Sequence, residues 1–246
     1  MDVSSFVLLS HEQALHRRLD VAANNMANTN TVGFKREQPL FHEYVETSAD
    51  APIKDAKKTS FVLDFGAVHD TTQGAFQATG NPLDVMIDGP GYLSVQTPGG
   101  TAYTRAGFVK VLQSGVLATS SGDPLLDDKG RTITVPTDQQ NRLTITADGT
   151  VMGPAGAIGR LGVTTFSSEA VVTPRGDGMM AGTGGRVLTP AETRLKSGGV
   201  EASNVEPIAE TTKMVEILRA YQTSQAMSQS LDDLRRNAIG RLGKVN

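Results

Sequence analysis

The stretch His11-Glu12-Gln13-Ala14-Leu15-His16 sets two imidazoles around a carboxylate, the residue types of a helical zinc hydrolase site. That chemistry needs histidines four apart, so that both face one ion. Here they are five apart, roughly 500° around a 3.6-residue helix and so about 140° out of line. They read as two solvated or interface histidines. Residues 176 to 181, Gly-Asp-Gly-Met-Met-Ala, mimic part of a dinucleotide glycine pattern, but they follow Pro174 rather than a clean strand and lead into no helix. No GxxxxGK[ST] phosphate loop occurs. Five carboxylates, Asp84, Asp88, Asp123, Asp127 and Asp128, fall at strand ends and turns, where solvated turn residues are the plain reading. With 4 histidines far apart and no cysteine, the means for nucleophilic or metal chemistry are thin. No catalytic residue, cofactor or metal is expected.

The bulk numbers point the same way. The 246 residues are 38% hydrophobic and 20% charged, which suits a globular chain with a real core. A net charge of -3 argues against a broad nucleic-acid surface. Without cysteine there is no disulfide and no thiolate metal site. The longest apolar run near the start, Phe6 to Leu9, is too short for a signal-peptide core or a membrane span. No membrane insertion is expected, and any export must proceed without a cleaved signal.

The elements divide into three styles. Residues 4 to 28 carry a helical period, with Leu8, Leu15, Leu19, Ala22 and Met26 spaced seven, four, three and four apart in one narrow stripe. A stripe that narrow favours helix-on-helix packing. Residues 44 to 60 are polar, contain Pro52 and read as an extended arm. From about 61 to 166 the pattern is short β-branched runs separated by turns, among them Pro98-Gly99-Gly100, a strong hairpin signal. Residues 167 to 200, with seven glycines, read as loop. A helical period returns from about Asn204 and runs to about 239, with Pro207 in its first turn and Met214, Ile217, Leu218 and Tyr221 on an apolar face. Gly240 and Gly243 are expected to end it. The expected fold is α+β: helices at both ends of the chain and a central β-rich domain of consecutive hairpins. The domain boundaries drawn from this are a helix at 1–36, an arm at 37–72, a β domain at 73–200 and a helix at 201–246.

One cluster resists the plain account. Asn24, Asn25, Asn28 and Asn30 crowd the end of the first helix, although asparagine competes for backbone hydrogen bonds and is a poor helix residue. One reading is a helical hairpin packed on the β domain, with Asn30 or Gly33 as a left-handed cap. The other is an assembly of many chains. Asn24 and Asn28, four apart, share a face, and amides that both donate and accept can fix the register of neighbouring helices.

Three blocks carry a resemblance. ANNMANTNTVGFKR at 23–36, NPLDVMIDGPGYLSVQTPGGTAYTRAGFVKVLQSGVL at 81–117 and GGVEASNVEPIAETTKMVEILRAYQTSQ at 198–225 occur in this order. Together they resemble the rod and hook axial proteins of the bacterial flagellar basal body. Met26 stands where leucine or isoleucine is common in that family and Val200 where leucine is common, and both swaps are apolar and roughly conserve volume. The tail at 236–246 matches no block.

The resemblance implies that both terminal helices pair into a coiled-coil-like core domain that lines a tube, with the β domain outside it. It implies export through the flagellar type III apparatus, a place in the periplasm-spanning rod and a mechanical role with no reaction. Its partners would be copies of itself and other rod subunits. Length and the short arm fit a proximal-rod subunit, with a distal-rod subunit as the alternative. The residues expected at subunit interfaces are the stripe Leu8, Leu15, Leu19, Ala22 and Met26, and the amides Asn24, Asn25, Asn28 and Asn30. To these add Gly33 and Phe34, where the chain turns away from the helix, Ser203 and Asn204 in the third block, and Met214, Ile217, Leu218 and Tyr221. A secreted β-rich adhesin is a rival reading, though it would not need helices at both ends. An enzyme is another, and it would need a pocket of converging polar groups.

Overall fold

The computed structural model describes residues 3–47, 58–140, 142–167, 172–175 and 178–242. The chain forms two compact units, and each draws on separated stretches of sequence.

The first unit holds residues 1–27, 37–68 and 206–246. Its helices are α1, Val3–Ala27, and α2, Pro207–Leu242, and a two-stranded sheet joins β1, Glu37–Thr47, to β2, Lys58–His69, whose last residue belongs to the second unit. The expected arm therefore begins and ends as strand, while its residues 48–57 lie outside the described part. Pro207 opens α2 as anticipated, since proline at the first position gives up an N–H that the helix does not need. Gly240 does not close that helix, which continues to Leu242; Gly243 lies outside the described residues. A single glycine costs about 1 kcal/mol in a helix and does not by itself break one.

The second unit holds residues 28–36 and 69–205. Its first part reads β3 Phe76–Ala78, β4 Val85–Ile87, β5 Tyr92–Thr97, β6 Gly100–Thr104, β7 Val109–Val111 and β8 Leu117–Thr119. Then come β9 Thr144–Ile145, β10 Thr150–Gly153, β11 Gly156–Arg160 and β12 Val163–Thr165. Hairpins join β5 to β6 around Pro98 and Gly99 and β7 to β8, as their turn sequences predict, and a further hairpin joins β10 to β11.

The stretch expected to be loop contributes strands instead: β13 Val172–Pro174, β14 Met180–Gly182, β15 Arg186–Val187, β16 Leu195–Ser197 and β17 Gly199–Glu201. β13 pairs with its neighbour β14, and the others reach partners farther away in sequence. The largest sheet runs β13-β14-β6-β5-β12-β15, while β16 returns to β4 and β17 to β3. Strands of two or three residues, some starting or ending on glycine, are too short to show a period and are held by the partner backbone. Residues 176 and 177 of the glycine stretch are not described.

The core of this unit is apolar and continuous, with Val85, Leu93, Val95, Leu117, Leu125, Leu161 and Val163 nearly sealed from solvent. Inward residues on β5 alternate with outward ones only at its end, because Tyr92 through Val95 are all buried.

Candidate functional site: a helical face and a buried ion cluster

In the first unit, α1 and α2 meet along a seam whose members recur three and four residues apart. On α1 these are Leu8, Glu12, Leu15, Leu19, Ala22 and Met26. On α2 they are Glu210, Met214, Ile217, Tyr221, Ser224, Ser228, Leu231 and Arg235. All are buried or half-buried. Leu15, Ala22 and Ile217 form its sealed centre, and Leu19, Met214, Ala220 and Tyr221 pack on them. The polar members pair across it. Ser224 donates to Glu12 at 3.2 Å, and Arg235 donates to the Ser5 hydroxyl at 2.8 Å. Residue 12 facing 224 and residue 5 facing 235 make the helices antiparallel. Glu210, 2% exposed, accepts from Lys213 at 2.9 Å.

The seam leaves a second apolar set outside. Phe6 and Leu9 on α1, and Ile208, Val215, Leu218, Met227, Leu234 and Ile239 on α2, are exposed within the chain. Leu218, expected inward beside Tyr221, lies off the seam at 44% exposure, because Ile217 takes the buried position. His11 and His16 are also exposed, and His16 meets Asp20 one turn on at 3.2 Å. Among the described residues no group of histidine and carboxylate side chains could hold a metal.

The asparagines part company. Asn24 and Asn30 are exposed and Asn28 is half-buried, whereas Asn25 is 1% exposed. The Asn25 amide pairs with the Glu37 backbone in both directions: its Nδ2 donates to the carbonyl at 2.9 Å, and its Oδ1 accepts from the N–H at 2.8 Å. Asn25 thus substitutes for a strand partner at the start of β1, a contact inside the chain. Asn28 accepts from the Thr31 hydroxyl and backbone N–H. The left-handed position is Gly33, at φ 72, and not Asn30. A Cβ at Gly33 would stand 2.5 Å from the Arg105 carbonyl carbon, so both the turn and the packing require glycine. Phe34 is half-buried.

In the second unit a buried cluster ties four stretches together. Glu201, 1% exposed, accepts from Lys35 at 2.6 Å and the Gly74 N–H at 3.0 Å through Oε1, and from Arg105 at 2.9 Å through Oε2. Lys35 also donates to the Thr72 carbonyl, and Arg105 to the Gly89 carbonyl, with its guanidinium 5.4 Å over the Tyr92 ring. Beside it, Asn204 accepts from the Arg36 N–H at 2.7 Å and donates to the Asp70 and Thr72 carbonyls. Ser203 accepts from the Val205 N–H. Burial pushes the Lys35 ammonium below the usual lysine range, and the like charge of Arg105 adds to this against the pull of Glu201. The residue reading missed Lys35, Arg105 and Glu201. A lone charge reads as solvated until its partner, here up to 166 residues away, is known.

Asp84 is a further correction. Instead of a solvated turn residue it is 4% exposed, accepting from Thr79 at 2.7 Å and Asn81 at 2.9 Å. Three of the other four carboxylates at turns have ordinary cationic partners: Asp127 with Arg131, Asp128 with Arg160 and Asp88 with Lys196.

The three quoted blocks, which contribute Lys35, Arg105 and Glu201 to the buried cluster, are matched by family models in the same order. Residues 10–35 match the flagella basal body rod protein model, 86–153 the flagellar hook protein FlgE/F/G D1 domain, and 196–241 the flagellar basal body rod FlgEFG protein C-terminal model. The chain is 37% identical over 250 residues to the flagellar basal-body rod protein FlgF of Caulobacter vibrioides, covering all of both chains. The chain belongs to the flagellar basal-body rod protein family. The FlgF of Mesorhizobium japonicum is 32% identical, with 99% of each chain covered, and the FlgG of Bacillus subtilis is 32% identical, with 90% of this chain and 92% of that one covered. A structural subunit of the basal-body rod is the function that membership in this rod family carries. None of these relatives supports the adhesin reading. No described helix is long and apolar enough to cross a membrane.

Proposed function

We propose that this rod-family chain is a proximal-rod subunit that polymerises through α1 and α2, which pair as a coiled-coil-like core. Copies of itself and neighbouring rod subunits are its partners, and the flagellar type III apparatus exports it. The full-length likeness to relatives named FlgF supports the proximal reading over the distal one. The observation that carries polymerisation is the apolar set left outside the seam. Phe6, Leu9, Val215, Leu218, Met227, Leu234 and Ile239 stay in water in the single chain, and copies packed side by side would cover them. The three-and-four spacing of the seam supports the coiled-coil part of the reading.

Leu218 provides the test. It is already half covered, so the area still to be buried is worth about 1 kcal/mol per subunit. A charge there costs the lone chain little but the assembly much, because the defect recurs at every subunit. Leu218→Asp should fold with an unchanged circular dichroism spectrum, yet form no rods by electron microscopy and support no swimming. Gln222→Asp, also on the exposed surface of α2, is the milder control. Normal rods from Leu218→Asp would refute burial of this face between subunits.

A further inference from the structure

Residues 195–205 are the last stretch of the second unit, and they carry β16 and β17. Among the described residues those strands are the only strand partners of β4 and β3. The Gly198 N–H donates to the Asp84 carbonyl at 2.8 Å, and the Ala202 N–H to the Ala75 carbonyl at 2.9 Å. The Glu201 carbonyl accepts from the Gly33 N–H at 2.8 Å. Leu195, Val200 and Val205 are buried, and Leu195 belongs to the main apolar core. The seat is tight. A Cβ at Gly74 would stand 1.8 Å from the Ala202 carbonyl oxygen, and one at Gly199 would stand 2.4 Å from that of Gln77.

The groups that this segment satisfies lie far before it in the chain. Glu201 is the carboxylate that bonds both Lys35 and Arg105, 166 and 96 positions earlier. Until it docks, two cations that the fold buries lack that partner, and a buried charge without one is costly. Strands β3 and β4 present bare backbone until then, and backbone groups are buried only when paired. A domain is marginally stable, so it does not survive these losses together.

We propose that residues 195–205 are a closing strap: the β unit stays open until this segment docks. A chain made from its N-terminus onward therefore holds no closed β unit until residue 205 is free to pack. On the export reading above, the delay keeps the chain in an unfolded form that a narrow channel passes.

Pulsed hydrogen exchange during refolding of the full chain from urea, read by NMR, is the test. The N–H groups of Gly198 and Ala202 report the strap. Those of Ser94, Leu117 and Leu126, bonded to the Gly162, Ile133 and Ser94 carbonyls, report the rest of the unit. All five should gain protection in one phase. A core protected in an earlier phase than the strap would overturn the proposal. Gly74→Ala gives the second arm, because its methyl obstructs the strap while the residue keeps the N–H that bonds Glu201. In native-state exchange that variant should lose protection by the same factor at strap and core, about tenfold or more, since one opening exposes both. Loss confined to Gly198 and Ala202, with the core still protected, would show a local trim and overturn the strap; unchanged protection throughout would deny the tight seat and overturn it as well. Both measurements use the single chain, so their failure leaves the rod reading standing, and a failure of polymerisation or export leaves the strap standing.

Discussion

Glu201 is a single carboxylate shared by two cations and a backbone N–H, with almost no access to water. Removing one partner from such a group costs far more than the group's net contribution, because the remaining charges stay buried. Glu201→Gln, nearly the same shape, should therefore destabilise the β unit by about 3–5 kcal/mol, read from urea melts followed by near-ultraviolet circular dichroism. A change within the error of the melt would show that solvent reaches the cluster. Outside it, carboxylates at turns set the acid response. Glu192 is held at about 2 by the Arg186 guanidinium and the Thr189 N–H. Asp70 is lowered by Thr72 and Asp148 by the hydroxyls of Thr146 and Thr150. Burial raises Asp127, but its bonds from Arg131 and Lys129 win and leave it lowered. A carboxylate lowered by folding contributes stability that is fully present above its unfolded value, 3.8 for aspartate and 4.5 for glutamate, and lost as pH falls through the folded one. Stability of the β unit should thus be level down to about pH 5 and decline from there toward pH 2. A side-chain titration of Glu192 near 4.5 would contradict the Arg186 pairing.

For the helices, adjacent residues have opposite fates. Ile217 is sealed in the α1–α2 seam, and Leu218 beside it is open. Ile217→Asp should therefore unfold the helical unit in the single chain, seen as a loss of helical ellipticity, whereas Leu218→Asp spares the chain and blocks only assembly. Equal helical content in the two variants would mean that the seam does not form before polymerisation. Both positions looked inward in the sequence, because Met214, Ile217, Leu218 and Tyr221 all fall on a broad apolar face. One helix cannot show which half of such a face its own partner takes and which half is left for another chain. The hairpins were legible for the opposite reason: Pro98-Gly99 fixes β5 and β6 locally, with no distant partner to know. Strands β13 to β17 were not legible, since they carry no pattern of their own and all but β13 depend on a partner elsewhere.

Across the molecule, the two units differ in what holds them. The β unit closes around a large apolar core, while among the described residues the helical unit of a single chain seals a small set, Leu15, Val21, Ala22 and Ile217. Hydrophobic stabilisation scales with the area removed from water, so the helical unit should open first. Limited proteolysis of the single chain should remove the ends and leave a fragment from about residue 28 to about 205, the span that keeps Lys35, Arg105 and Glu201 together. Helices as resistant as the β unit would show that the seam is stable without neighbouring subunits.

The sequence by itself determined the α+β class, the helices at either end, the local hairpins and, through three ordered blocks, the family. Each of those rests on short-range information: a helical period, a turn residue, a contiguous motif. Tertiary structure alone decided the rest. It brought Lys35 and Glu201 together across 166 positions, put Asn25 on the Glu37 backbone, buried Asp84 and turned Leu218 outward. Whether a charge or an amide is solvated, paired or left open depends on what the folded chain sets beside it, and no single stretch of sequence carries that.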